Sequence, residues 1–119
     1  MRERILICGA RGWKSISVIR RVLDQYPSVI CVIEGEAPGA DKIGRMVAEE
    51  LGIPVLSFPA DWARFGRAAG PIRNQRMLDE GKPTLVLAFH NNIVESKGTK
   101  DMVKRARKAG IRVRLFREA

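Results

Sequence analysis

Along this chain the apolar residues alternate between short continuous blocks and stretches in which they recur every three or four positions. Ile5 to Cys8 is a continuous block running into Gly9-Ala10-Arg11-Gly12-Trp13, which reads as a buried strand entering a tight glycine turn. From Ser15 onward, Ile16, Ile19, Leu23 and Tyr26 fall on one helical face, with Ser15 placed to cap and Pro27 to stop. Val29 to Ile33 is apolar throughout and mostly β-branched, as suits a parallel strand covered on both faces. After Glu34-Gly35-Glu36-Ala37-Pro38-Gly39-Ala40-Asp41, the recurrence of Ile43, Val47 and Leu51 predicts a second helix, ended by Gly52. Ile53 to Phe58 predicts a third strand with Pro54 near its start, where a missing N–H does least harm.

Residues 59–70 carry Pro59, Trp62, Phe65, Gly66 and Gly70 without a clear period and predict a long ordered loop, its aromatics buried to pin it. Pro71 suits the first turn of a helix reaching about Glu80, with Gly81 after it. Thr84 to Phe89 is a further strand and His90 to Gly98 a polar loop. Thr99 to Ala109 is a helix with Met102, Val103, Ala106 and Ala109 inward. Ile111, Val113 and Leu115 alternate with Arg112, Arg114 and Arg117 in a last strand whose arginine face should be wet, which places it at a sheet edge. Five strands alternating with four helical segments predict an α/β fold. The expected architecture is a Rossmann-like three-layer sandwich with a five-stranded parallel sheet, in one domain over residues 1–119. In such sheets ligands bind at the carboxyl ends of the strands where strand order reverses, and those ends carry the Gly9, Gly35 and Gly98 loops.

Composition then narrows the function classes. A hydrophobic share of 45% and a charged share of 29% exclude a disordered tail or a low-complexity polymer. No apolar run approaches the roughly 20 residues of a membrane span, so no membrane partner is expected. Cys8 and Cys31 lie inside apolar blocks and read as small core residues rather than a disulfide, which fits a reducing cytoplasm. Twenty-two Lys and Arg against 13 Asp and Glu give a net charge of +9, a balance that favours an anionic partner.

Several segments could hold that partner. A glycine turn leading into a helix brings backbone N–H groups close to a phosphate, although residues 9–12 supply only GxxG and equally make a plain strand-to-helix turn. Asp41 could accept from a ribose hydroxyl, help hold a metal, or simply cap its helix. Arg73 offers a bidentate donor for phosphate or carboxylate, and Asn74 can read a base or sugar edge. Ser96-Lys97-Gly98-Thr99 opens the next helix in a way that suits phosphate or an ordinary cap. Trp62, Arg64, Phe65 and Arg67 interleave aromatics with cations, a composition able to stack a base. Residues 97–117, where Asp101 is the lone acid among lysines and arginines, make either a nucleic-acid footprint or a solvated face. His90 has no second His or nearby Cys, so no metal set, nucleophile pair or cofactor is predicted.

With these residues laid out, the chain resembles the SLOG superfamily, most closely its small YspA-like branch. The strings that carry the resemblance are Gly9 to Trp13, Gly35 to Asp41, Phe58 to Trp62, Gly66 to Met77 and Gly98 to Met102. It implies a Rossmann-like fold whose loops bind nucleotides or nucleotide-derived ligands such as ADP-ribose relatives. The implied binding residues are Gly9, Ala10, Arg11, Gly35, Glu36, Ala37, Gly39, Ala40, Asp41, Arg73, Asn74, Met77, Gly98 and Thr99. Two more distant relatives imply other functions. The cytokinin-activating phosphoribohydrolases, which cleave the N-glycosidic bond of a nucleoside monophosphate, carry PGGxGTxxE with a catalytic glutamate. This chain keeps Gly98-Thr99 but puts Met102 at the glutamate position, and Asp101 is one residue early, about 100° away on a helix. Glu34, Glu36, Asp41 and Asp101 are the acids that such chemistry could use. The DNA-processing protein DprA implies single-stranded nucleic-acid binding, with which the basic last segment is compatible. The expected function is therefore binding or sensing of a nucleotide-derived anion by a cytoplasmic protein. Turnover, nucleic acid and a second copy of the chain stay open.

Overall fold

The computed structural model of the protein describes residues 2–118. The elements run β1 (Glu3–Gly9), α1 (Ile16–Leu23), β2 (Val29–Glu34), α2 (Ala40–Glu50), β3 (Val55–Ser57), α3 (Trp62–Phe65), α4 (Ala69–Gly81), β4 (Leu85–Phe89), α5 (Gly98–Lys108) and β5 (Arg112–Phe116). All five strands are parallel, in the order β3-β2-β1-β4-β5. The expected α/β Rossmann-like sandwich is the one observed. Helices α1 and α2 cover one face of the sheet through Ile19, Leu23, Val47 and Ala48, packed on Ile5, Ile7, Leu85 and Leu87. On the other face, α4 and α5 place Met77, Met102, Val103 and Ala106 against Leu6, Ile33, Val86 and Ala88. Successive residues of β1 and β4 thus feed opposite layers, which is why both strands are apolar without interruption.

Three differences from expectation have local causes. Helix α1 stops at Leu23, because Gln25 and Tyr26 donate to Val22 and Leu23 in tighter three-residue turns, and Tyr26 packs beside the core from outside the helix. The stretch expected as a loop contains α3, whose first turn is capped by the Asp61 carboxylate accepting from Arg64 N–H at 3.1 Å, followed by a 3₁₀ turn over Gly66–Ala68. Its aromatics are exposed rather than buried, Trp62 at 50% and Phe65 at 38%. In β5 the arginine face is wet as expected at an edge, yet it is not idle. Arg112 pairs with the buried Glu3 carboxylate at 2.8 Å, and Arg114 lies over the Tyr26 and Phe116 rings.

Strand β1 turns away from β4 at Gly9, where the backbones nearly touch. A Cβ on Gly9 would fall 2.1 Å from the Phe89 carbonyl oxygen and 2.7 Å from the Ala40 Cβ. Backbone cannot rotate aside as a side chain does, so Gly9→Ala must push β1 and β4 apart. We expect a loss of at least about 2 kcal/mol, read as a fall in Tm of roughly 8 °C in thermal unfolding. An unchanged Tm would show that the two strands tolerate a wider spacing here.

Candidate functional site

The strand order reverses between β1 and β4, and a cavity of about 780 Å³ opens at their carboxyl ends. Its walls come from the loop after β1, the start of α2, the α3 segment, the first turns of α4 and the loop leading into α5. Hydrogen bonds hold these pieces in register. The Ala10 N–H donates to the Phe89 carbonyl at 2.9 Å, while the Ala10 carbonyl accepts from Ala40 and Trp13 at 3.1 and 3.2 Å. Gly39 makes the turn between β2 and α2 at a φ of +81°, where a Cβ would fall 2.2 Å from the Ala10 carbonyl oxygen and 2.5 Å from that of Arg11. From the far end of the chain, Glu118 accepts from the backbone N–H groups of Lys14 and Ser15 and from the Asn91 side chain, so it ties the loops after β1 and β4 together.

The inner wall is a chain of polar contacts. The Arg73 guanidinium donates through Nη1 to the Gly35 carbonyl at 2.5 Å and through Nε to Asn74 Oδ1 at 3.1 Å. Asn74 is buried, and its Nδ2 donates to the Gly98 carbonyl and to Asp101 Oδ2 at 3.2 and 3.0 Å. Asp101 is held in turn by Arg105 at 2.8 Å. Asp41 Oδ2 accepts from Gly35 N–H at 3.0 Å and Ala37 N–H at 3.4 Å. The same residue, Gly35, therefore receives Arg73 on its carbonyl and gives its N–H to Asp41, and a Cβ there would collide with both side chains.

Of the residues implied by resemblance, Gly9, Ala10, Arg11, Ala37, Asp41, Arg73, Asn74, Met77, Gly98 and Thr99 line the cavity. Gly35, Glu36, Gly39 and Ala40 do not. Gly35 sits behind Asp41 and Arg73, Glu36 pairs outward with Arg45 at 3.0 Å, and Ala40 is fully buried under Ala10. Among the four acids open to a catalytic reading, Glu34 is buried with its carboxylate on Ser57 and Glu36 N–H, and Glu36 faces Arg45. Asp101 lines the cavity but is engaged by Asn74 and Arg105; Asp41 is the acid on the wall that no cation binds directly. Sequence reasoning missed Cys8, Gly70, Pro71 and His90 at the cavity and undervalued Trp62, Arg67 and Lys97. The interleaving of aromatics and cations over residues 62–67 was the available signal. His90 Nδ1 accepts from Asn92 N–H at 2.9 Å, which leaves the proton of the neutral ring on Nε2. Among the described residues, no three His, Cys, Asp or Glu side chains are grouped to hold a metal ion.

Burial pushes the Asp41 carboxyl up to about 7, against the opposing pull of Arg73 and of the Ala37 and Gly35 amides. The folded chain then holds a proton that the unfolded chain has released. The stabilisation this brings is complete below the ordinary carboxylate value of about 4 and is lost as pH rises through about 7. Asp41→Asn cannot ionise, so its Tm relative to the wild type should improve from pH 5 to about pH 7 and level off above that. Parallel Tm profiles over that range would contradict the raised value.

A family model described as the YspA, cpYpsA-related SLOG family matches residues 3–65, from β1 through α3. The chain is also 34% identical over 123 residues to the Gene 61 protein of Mycobacterium phage D29, an alignment covering 96% of each. That alignment reaches beyond the family-model match, across the Arg73-Asn74 helix and the Gly98 loop. The glycine strings of the sequence, the strand order and these two matches agree: the chain belongs to the YspA, cpYpsA-related SLOG family.

Proposed function

We propose that the cavity binds a nucleotide-derived anion, with its phosphates between the loop after β1 and the first turn of α5. One observation carries the reading: four cations, Arg11, Arg67, Arg73 and Lys97, converge on one cavity whose two acids are already engaged by amides or by Arg105. Such a wall favours a multiply charged anion over a cation or a neutral ligand. Arg73 keeps Nη2 without a partner among the described residues, and Arg11 is exposed with none. The volume is that of an ordinary small-molecule site, roughly 300–1,000 Å³, and the α5 N-terminus adds backbone donors suited to phosphate. The resemblance to nucleotide-binding relatives supplies the class of the anion. Asn74, with both ends of its amide bonded within the protein, positions Arg73 and the α5 turn rather than reading the ligand.

Thermal unfolding with AMP, ADP, ADP-ribose and NAD tests the reading; a ligand at 100 times its Kd adds about 2.7 kcal/mol. Arg11→Ala should weaken the bound nucleotide by about 10- to 100-fold, since a hydrogen bond to a charged group contributes roughly 1.5–3 kcal/mol. The unliganded Tm should stay put, because Arg11 holds nothing else. Full affinity in this variant would remove the loop after β1 from the site.

A second reading, single-stranded nucleic acid, is favoured by one feature of α5. Its solvent side presents Lys97, Lys100, Lys104, Arg107 and Lys108, all exposed and none paired with an acid among the described residues. Lys97 and Lys100 occupy the positive end of the helix dipole, where cations are disfavoured unless an anion joins them. If a strand binds there, replacing Lys100, Lys104 and Lys108 by glutamine should lower the slope of log K against log salt by about 0.7 for each phosphate no longer neutralised. An oligonucleotide whose binding ignores salt would eliminate this surface.

A further inference from the structure

The chain has two tryptophans, and their surroundings differ sharply. Trp13 is 2% exposed; its indole N–H donates to the Ser15 carbonyl at 2.9 Å, and its ring meets Phe89 edge-on with centroids 5.4 Å apart. Trp62 is 50% exposed on the wall of the cavity, and its indole N–H has no partner among the described residues. A half-exposed tryptophan forgoes much of the largest apolar burial that a side chain offers, and burial with a bonded N–H is the usual resolution.

Each of the other aromatic rings is packed against the core or has a guanidinium over its face, though Phe65 stays 38% exposed. Phe89 is fully buried. Phe65 lies under Arg64 at 4.8 Å, Phe58 under Arg76 at 5.5 Å, and Arg114 stands over both Tyr26 and Phe116 at 5.9 and 5.0 Å. Trp62 is the ring that is neither packed in the core nor capped by a guanidinium among the described residues. Yet it is held in place. Asp61 caps the turn that carries it, the Trp62 carbonyl accepts from Gly66 N–H, and indole Cη2 lies 3.4 Å from where a Cβ on Gly70 would stand. The indole thus lies beside the first turn of α4 at Gly70, itself on the cavity wall. A ring fixed in position and left open toward a cavity lined with cations is what stacking of a nucleobase requires, because every base offers a π-face.

We infer that Trp62 is the stacking platform for the base of the bound nucleotide, so that the site takes nucleoside phosphates in preference to sugar phosphates. The inference rests on the nucleotide reading of the cavity, and the test separates the two. Binding of the four ribonucleoside 5′-monophosphates and of ribose 5-phosphate is measured by calorimetry on the wild type, Trp62→Ala and Trp62→Phe. The best nucleotide should bind the wild type about tenfold or more tighter than ribose 5-phosphate. Trp62→Ala should lose that advantage while its affinity for ribose 5-phosphate stays unchanged, and Trp62→Phe should recover most of it. Half of the indole is covered, so Trp62→Ala should lower Tm by a few degrees and Trp62→Phe by less; unchanged binding of ribose 5-phosphate shows that the site is folded, so lost nucleotide binding cannot be assigned to lost folding. Tryptophan fluorescence adds a second readout: the nucleotide should change the emission of the wild type but not of Trp62→Phe, whose remaining indole is the buried Trp13. If ribose 5-phosphate matches the nucleotides, or Trp62→Ala binds them at full strength, the platform is overturned and the phosphate site stands. If none of these five compounds saturates, and ADP, ADP-ribose and NAD do not either, the nucleotide reading falls and takes the platform with it.

Discussion

The backbone of Ala10 joins three elements that are far apart in sequence. Its N–H closes onto β4 at Phe89, and its carbonyl receives the first N–H of α2 at Ala40 and that of Trp13 in the following turn. Backbone groups at this depth need partners, since a buried carbonyl or N–H left without one costs about 1–3 kcal/mol. Satisfying both groups of one residue therefore fixes where the β2–α2 turn must lie. Gly9 and Gly39 follow from that requirement: each sits where a neighbouring carbonyl leaves no room for a Cβ. The cavity is the space left at the reversal of strand order once these backbones have closed, with Cys8, Gly9 and Ala10 on its wall.

Charge is likewise governed by position. The chain carries a net charge of +9, yet acids occupy the interior: Glu3, Glu34 and Asp41 are all buried. Each is satisfied by a different device. Glu3 accepts from Thr84 and Arg112, Glu34 accepts from Ser57 and a backbone N–H, and Asp41 accepts from two backbone N–H groups with Arg73 nearby. For Glu34 and Asp41 burial raises the pKa, whereas hydrogen bonds from Thr84 and Arg112 lower that of Glu3. On the surface, Arg20, Arg45 and Arg76 pair with Glu50, Glu36, Glu49 and Glu80, whereas the cations at the cavity mouth and along the outer side of α5 have no such acids beside them among the described residues.

What could be read from the sequence were the elements that bury long apolar runs. Ile5–Cys8, Val29–Ile33 and Leu85–Phe89 are covered on both faces and have no polar register to confuse, so their identity as central parallel strands was legible. Helices α2 and α5 were legible from their inward stripes for the same reason. The segment over residues 59–70 was not, because a four-residue helix is too short to display a period and its aromatics lie outside the core, Trp62 on the cavity wall and Phe65 exposed under Arg64. At the site, the residue types were legible but their assignments were divided by tertiary contacts. Arg73 and Asn74 are adjacent in sequence, yet the first keeps a free nitrogen among the described residues while the second is consumed by Gly98 and Asp101 across the gap between α4 and α5. No local pattern encodes that partner, since Asp101 lies a whole strand and loop away.

The central place of β1 also sets an order of events. β1 is the middle strand of the sheet, and the register that seats Gly9 beside Phe89 joins residues 80 positions apart. Closing such a loop is entropically unfavourable until β4 exists, and contacts of this separation are the slow ones in folding. During synthesis at about 5–20 residues per second, β1 can pair with β2 early but must wait roughly 4–16 s for its other neighbour. The nascent chain therefore keeps one edge of an apolar strand uncovered until β4 has been made. The ligand cavity, which needs β1 and β4 side by side and the turn into α5 beyond them, comes into being only after that pairing, with the α5 residues that complete the second layer of the core.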